Sequence, residues 1–223
     1  ALSTLIGYLD AHPKVGLVGP QLQNPNGTVQ PSRRRFPTLP VLFLESTWLQ
    51  GLMPNSILRR YYVQDRSPKS VQKVDWVTGA AMMVRRAVIE EVGELDEGFF
   101  MYSEELDWCR RIRAAGWEIS YIPASTVVHY EGKSSEQVIP ARHIYFQSSK
   151  VRYTAKYHGQ FVAEVLRAWL LLQYGWQTAV EGLKWIVGHK RALRADRVHA
   201  YIRVIRSGLR ESKPGGEHAA TST

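Results

Sequence analysis

The sequence predicts an α/β domain followed by basic amphipathic helices, and three observations carry that prediction. Short apolar runs of strand length alternate with helix-periodic segments up to about residue 140, the order expected of α/β architecture. Beyond Pro140 the apolar period is helical almost to the end. Charge divides at the same place: Lys+Arg and Asp+Glu number fifteen each over residues 1–140, but fourteen against five over 141–223, so the whole +9 excess is C-terminal.

Taken in order, Leu2, Leu5, Ile6 and Leu9 set a helical period that Pro13 breaks. Val15-Gly-Leu-Val-Gly19 reads as a short buried strand, ended by Pro20 and by the Asn24-Pro-Asn-Gly27 turn. Arg33 to Arg35 lie between prolines, in a loop or an irregular strand, and form either a solvated charge run or an anion contact. Residues 41–73 show no clean period and are expected to be short helices in a connecting region. Ala80-Ala-Met-Met-Val84 is the next strand, followed by a short helix through Val88, Ile89 and Val92 that Gly93 stops.

Ser103 to Gly116 carries full helix punctuation, with Ser103 as N-cap, Glu104 and Glu105 in the first turn where the macrodipole favours anions, and Gly116 just past the end. Its apolar stripe is Trp108, Cys109 and Ile112. One turn back from Cys109 stands Glu105, which places this carboxylate on the inward side, while Glu104, Asp107 and Arg111 share a more exposed face. Strands at Ile119 to Ile122 and Thr126 to His129 follow, the second ending on a histidine.

Three helical stripes come next. They run through Val162, Val165/Leu166, Trp169 and Leu172; through Ala179/Val180, Leu183 and Ile186/Val187; and through Val198, Tyr201/Ile202, Ile205 and Leu209. The organisation is therefore a domain over 1–140, a basic amphipathic helical region over 141–210, and a tail over 211–223 rich in Gly, Ser, Thr and Ala, expected to be disordered.

Composition narrows the class further. At 44% hydrophobic and 22% charged, the 223 residues are ordinary globular material, which excludes general disorder and collagen-like repeats. The single cysteine, Cys109, excludes an intramolecular disulfide framework and a cysteine-based structural zinc site, and fits a cytosolic setting. Charge-free runs such as Ser46 to Leu58 and Ala168 to Val180 are 13 residues long, short of the ~20 apolar residues of a membrane span. The first residues lack both an initiator Met and a signal-peptide pattern and open directly in a helix, as expected of a piece of a longer chain.

Four separated motifs then occur in one order. They are Asp75-Trp-Val-Thr-Gly-Ala80; Leu95-Asp-Glu-Gly-Phe-Phe-Met-Tyr-Ser-Glu-Glu-Leu-Asp-Trp-Cys-Arg-Arg111; Gly116-Trp117; and Val128-His-Tyr-Glu-Gly-Lys-Ser134. That succession resembles the acceptor half of the family-2 glycosyltransferases, closest to the rhamnosyltransferase-like branch that builds bacterial cell-surface polysaccharides. The resemblance runs from about Val15 to Tyr157 and implies a partial GT-A, Rossmann-like fold over residues 1–140.

It also implies roles. The acidic pair at the start of the helix supplies the general base in that family: its second position matches Glu105, its first Glu104, and the following acid Asp107. The family more often has Asp where this chain has Glu105. In an inverting transfer this base removes the acceptor hydroxyl's proton as oxygen attacks the anomeric carbon, and the inward position of Glu105, where desolvation raises a carboxylate's pKa, agrees with that role. His129 matches a histidine near the donor diphosphate that either ligates Mg²⁺ or Mn²⁺ or touches phosphate; a hydrogen-bonded strand-end histidine is the structural alternative. Gly132, Lys133 and Ser134 match phosphate-side positions. Trp76, Thr78, Gly79 and Ala80 match a loop-and-strand region lining a sugar, although Trp76 also reads as a core tryptophan.

The resemblance places a nucleotide-binding half with an acidic metal motif before Ala1, and no Asp-x-Asp occurs in this chain. It therefore implies a fragment, inactive alone, of an inverting, metal-dependent transferase. Its partners would be a nucleotide-sugar donor such as dTDP-rhamnose and a lipid-linked or polysaccharide acceptor. A competing class is a non-catalytic binding module, in which residues 141–210 attach to anionic membrane or nucleic acid. Trp169, Trp176 and Trp185 alternating with basic residues favour a membrane interface, and no nucleic-acid motif is visible. The expected location is peripheral, on the cytoplasmic face of the cell membrane. A glycoside hydrolase is disfavoured, because the adjacent Glu104 and Glu105 point different ways and cannot flank one bond.

Overall fold

The structure, a computed structural model, describes residues 1–130, 139–188 and 190–210. The chain divides into two compact units, Ala1–Asp96 with Glu104–Ser134, and Glu97–Ser103 with Ser135–Thr223.

The first unit is mixed α/β. In order it holds α1 (Leu2–Ala11), β1 (Val15–Gln23), β2 (Val29–Gln30), β3 (Arg33–Arg34), α2 (Leu39–Leu44), α3 (Asn55–Tyr61), β4 (Gln72–Val74), β5 (Trp76–Val77), β6 (Met83–Val84), α4 (Arg86–Val92), α5 (Glu104–Ala114) and β7 (Glu118–Val128). The main sheet has the order β2-β1-β7-β4, with β6 also paired to β1. Its central pair, β1 and β7, is parallel; the other pairs are antiparallel. A separate two-stranded ribbon joins β3 to β5.

The amphipathic α1 buries Leu5 and Leu9 against Val15, Val18 and Ile122 of the central strands. Arg85 ties the same corner by donating to the carbonyls of Leu9 and Val15. β1 carries glycine where neighbours come closest: a Cβ at Gly16 would stand 2.7 Å from Val88 Cγ2, and one at Gly19 would stand 2.9 Å from the Val77 methyls. α5 follows the expected stripe, with Cys109 and Ile112 fully buried.

Several boundaries differ from the sequence reading. β1 does not stop at Pro20 but runs to Gln23, because the missing N–H falls where the ladder to β7 shifts register, from Pro20 opposite Ile122 to Gln21 opposite Thr126. The three residues skipped on β7 include Pro123, so both prolines sit at one irregularity, and the two expected strands around it are one bulged strand. The strand expected over Ala80 to Val84 keeps only Met83 and Val84, since Gly79 and Ala80 form a turn. The aperiodic stretch holds the expected short helices but ends in β4.

The second unit is helical: α6 (Ile139–His158), α7 (Gln160–Ile186) and α8 (Arg191–Ser207). Gly159 and Gly188, both at φ +90°, make the turns between them. Tyr174 anchors the bundle by bonding His143 Nδ1 at 3.0 Å and packing on Tyr201 at 5.5 Å between ring centres. Glu181, nearly buried, gathers Lys184, Arg194 and Arg197. The segment Glu97–Ser103 lies on α6, where Phe100 packs on Tyr145, Tyr102 on Phe146, and Ser149 bonds the Met101 carbonyl at 2.7 Å.

The buried face of α7 is Ala163, Leu166, Leu170, Gln173, Tyr174 and Glu181. It is rotated from the stripe read in the sequence, and Val165, Leu172, Leu183, Ile186 and Val187 are exposed together with Phe161, Trp176 and Trp185. No helix among the described residues is long and apolar enough to cross a membrane. The tail expected to be disordered, 211–223, lies outside the described residues.

Candidate active site

The site is built where the β3–β5 ribbon meets the start of α5. Arg33 pairs with Val77 and Arg34 with Trp76, and Thr78 N–H extends the ladder to Ser32 O at 3.1 Å. The ribbon thus delivers Thr78, Gly79 and Ala80 as a turn. α5 approaches it so closely that Gly79 N–H donates to Glu105 Oε1 at 3.4 Å, and a Cβ on Gly79 would lie 3.5 Å from Glu105 Cβ.

Two residues before α5 the backbone is unusual. Tyr102 and Ser103 hold φ of +69° and +65°, in the left-handed region that side chains disfavour. Ser103 was expected as an ordinary N-cap, which needs extended backbone.

Glu105 lies on the inward side, one turn before the buried Cys109, as its spacing predicts. Its Oε2 is buried without a hydrogen-bond partner among the described residues. Burial first, and then the charge of Glu104, push its carboxyl up to about 7, against the backbone N–H groups of Glu105, Gly79 and Leu106 that favour the charged form. Glu104 also buries an Oε2 that has no hydrogen-bond partner among the described residues, and burial raises its carboxyl too.

Asp107 corrects the sequence reading. It was expected on the more exposed face but is fully buried, in an ion pair of 2.9 Å with Arg111, which also donates to the carbonyls of Val92 and Glu94. The chain leaving α4 packs over that face of α5, which no periodicity within α5 could reveal.

Beside the turn opens a cleft of about 270 Å³, lined by Leu22, Gln30, Pro31, Arg34, Tyr62, Gln64, Thr78, Ala80 and His129. Thr78 and Ala80 flank Gly79, so the turn that touches Glu105 is also the cleft wall. The Thr78 hydroxyl is buried there without a hydrogen-bond partner among the described residues. His129 enters from the end of β7 and holds Gln30 Oε1 at 2.9 Å through Nδ1, leaving Nε2 as its second nitrogen.

Trp76 does not line the cleft. It is buried, and its indole N–H donates to Arg35 O at 2.9 Å, the placement of a core tryptophan. Gly132, Lys133 and Ser134 lie outside the described residues. Among the described residues no three His, Cys, Asp or Glu side chains come together to hold a metal ion. His129 offers one imidazole nitrogen and no clustered carboxylate beside it, so the described residues do not build the site expected for Mg²⁺ or Mn²⁺.

Sequence reasoning missed Tyr62, Gln64 and Gln30, and named Arg34 only within the run Arg33 to Arg35, as a solvated charge run or an anion contact. Strand alternation was the available signal for Arg34, since it places Arg34 on the face of β3 opposite Arg33. The others lie in or beside stretches with no period.

Comparison with known proteins supplies a context for this geometry. The family described as glycosyltransferase-like family 2 matches residues 11–143. The N-acetylglucosaminyl-diphospho-decaprenol L-rhamnosyltransferase of Mycobacterium tuberculosis (strain H37Rv) is 29% identical over 216 residues, covering 96% of this chain and 62% of that protein. Rhamnosyltransferase WbbL of Escherichia coli K12 is 29% identical over 125 residues, covering 56% of this chain and 44% of that protein. The low-salt glycan biosynthesis hexosyltransferase Agl10 of Haloferax volcanii is 35% identical over 60 residues, covering 27% and 20%. The chain spans about three fifths of the length of the mycobacterial relative. No solved structure matches it.

Proposed function

The chain belongs to glycosyltransferase family 2, in its rhamnosyltransferase-like branch, and from that premise we propose that it transfers a sugar, rhamnose, from a nucleotide-sugar donor to an acceptor carried on a lipid diphosphate, with inversion and with Glu105 as general base. The observation that carries this reading is the Glu105 carboxylate, which has one oxygen on Gly79 N–H and the other buried without a hydrogen-bond partner among the described residues, beside a cleft open to solvent.

The step balances simply. The acceptor oxygen bonds to the anomeric carbon from the face opposite the nucleotide, the bond from that carbon to the diphosphate oxygen breaks with its electron pair, and the acceptor proton passes to Glu105. A carboxyl near pKa 7 is matched to that proton at neutral pH. Asp107 serves by fixing α5 through Arg111, and Glu104 by raising Glu105. A divalent cation would help the diphosphate depart. Among the described residues no three His, Cys, Asp or Glu side chains stand together to hold one.

A second proposal concerns place. The face of α7 bearing Leu172, Trp176, Leu183 and Ile186 is exposed, and Lys184, Lys190 and Arg191 stand at its C-terminal end. Exposed apolar side chains with adjacent cations suit the interface of an anionic membrane, where a lipid-linked acceptor resides. Co-sedimentation with vesicles is expected to require anionic lipid and to weaken with salt, and Trp176→Ser with Leu183→Ser is expected to reduce it. Equal binding to neutral vesicles, or none at low salt, would reject the membrane contact.

The experiment for the transfer itself follows label from dTDP-rhamnose to a short-chain polyprenyl diphospho-N-acetylglucosamine, comparing wild type with Glu105→Gln in a protein where this chain is joined to the nucleotide-binding half that the family resemblance implies. Transfer by wild type that collapses in the variant supports the reading. Full transfer by Glu105→Gln removes Glu105 as the base, and a stably folded variant without transfer is the expected result.

A further inference from the structure

We propose that Arg34 is the fixed cation of a diphosphate subsite in the cleft, one that holds the diphosphate of a substrate beside the Thr78–Ala80 turn; this rests on the transfer reading above. The three consecutive arginines have different environments. Arg33 is buried and donates to Gln72 Oε1 and to the carbonyls of Arg66 and Ser67. Arg35 faces Asp65 at 4.0 Å. Arg34 alone of the three lines the cleft.

Its guanidinium is held in place by neutral groups. It lies over the Tyr62 ring at 4.6 Å and near the Trp76 ring at 5.9 Å, and its Nη1 donates to Pro31 O at 3.0 Å and Arg33 O at 2.9 Å. None of these partners neutralises the charge, and among the described residues no carboxylate stands within ion-pair distance of Arg34. The cleft lining likewise contains no Asp or Glu. Glu45, which reaches Tyr62 from behind, is engaged by the Tyr62 hydroxyl at 2.8 Å.

The same cleft is lined by Thr78, whose hydroxyl is buried without a hydrogen-bond partner among the described residues, by Gln64, whose amide can donate, and by His129. A preorganised guanidinium fork with neutral donors and no competing carboxylate is the chemistry that recognises phosphate oxygens. Position selects the diphosphate among anions. The cleft shares its wall with the turn that contacts Glu105, and in a transfer between a nucleotide sugar and a diphospholipid the anions nearest the reacting carbon are the two substrates' diphosphates.

Inorganic pyrophosphate titrated calorimetrically into this chain at low salt tests the subsite without any transfer reaction. Wild type is expected to bind it. Arg34→Gln is expected to weaken binding by about 10- to 100-fold, the loss of a charge-assisted contact, and Arg34→Lys to recover part by restoring charge without the fork. A second readout needs no variant: pyrophosphate is expected to shift the His129 imidazole resonances. Displacement by a nucleoside diphosphate assigns the subsite to the donor, and displacement by a short prenyl diphosphate assigns it to the acceptor. No binding by wild type, equal affinity in a folded Arg34→Gln protein, or displacement by neither compound overturns the proposal. Failure of the transfer reading would appear separately, as transfer that survives Glu105→Gln while pyrophosphate still binds through Arg34.

Discussion

In the first turn of α5, Glu104 and Glu105 each bury a carboxylate oxygen that no described group hydrogen-bonds; two residues further on, the fully buried Asp107 is paired with Arg111 at 2.9 Å. The same helix thus holds one satisfied acid and two unsatisfied ones. Burying a carboxylate without a partner disfavours its charged form, whereas pairing supports it. The pair in the first turn has a raised affinity for a proton, while Asp107 holds α5 against the end of α4 through Arg111.

The largest expected effect comes from removing that proton acceptor. Glu105→Gln keeps the shape and the contact with Gly79 but cannot take the acceptor proton, and a loss of about 10²–10⁴-fold in kcat is expected. Stability should move the other way. Because the folded-state pKa of Glu105, about 7, lies above its ordinary 4.5, the folded protein binds the proton more tightly than the unfolded chain, and stability falls as pH rises from about 4.5 through about 7. Thermal unfolding should therefore show Glu105→Gln stabilised relative to wild type at pH 8 and little changed at pH 4.

Asp107→Asn should do the reverse. Leaving the partly covered Arg111 without its carboxylate is expected to destabilise by about 3 kcal/mol, the lower end of the cost of breaking a buried pair, since Arg111 keeps its two carbonyl acceptors. Chemical denaturation measures it. A variant as stable as wild type, with activity lost, would place Asp107 in the chemistry and erase the contrast.

Smaller still is Glu104→Gln. The charge of Glu104 helps raise Glu105, so the rising limb of the pH–rate profile should move to lower pH while the plateau changes only a few-fold. The least effect is expected from Gly79→Ala, whose methyl would meet Glu105 at ordinary contact distances of 3.5–3.6 Å. Loss of folding in that variant would mean the turn and α5 are packed more tightly than described.

The legible parts of the fold were those decided by local pattern. α1, α4 and the stripe of α5 follow from spacing, and with them the inward position of Glu105. What depended on partners far along the chain was hidden. Pro20 survives inside β1 because β7 shifts register opposite it, Asp107 is buried by the chain after α4, and β4 and β5 acquire their pairing from β7 and β3. The stripe of α7 failed for a related reason: its apolar residues cover more of the helix surface than one neighbour can bury, so periodicity alone could not select the packed face. At the site, Thr78, Ala80 and His129 do meet in one cleft, while Trp76 proved a core residue and Arg34 a lining one.

The account turns on the ionisation of Glu105, and the direct measurement is a pH titration of its side-chain carboxyl by carbon NMR in selectively labelled protein, assigned by its loss in Glu105→Gln. A midpoint near 7, falling when Glu104 becomes Gln, is the result expected from a buried carboxylate with one oxygen unpartnered among the described residues and a second acid beside it. A midpoint at the ordinary 4.5, unmoved by Glu104→Gln, would contradict it.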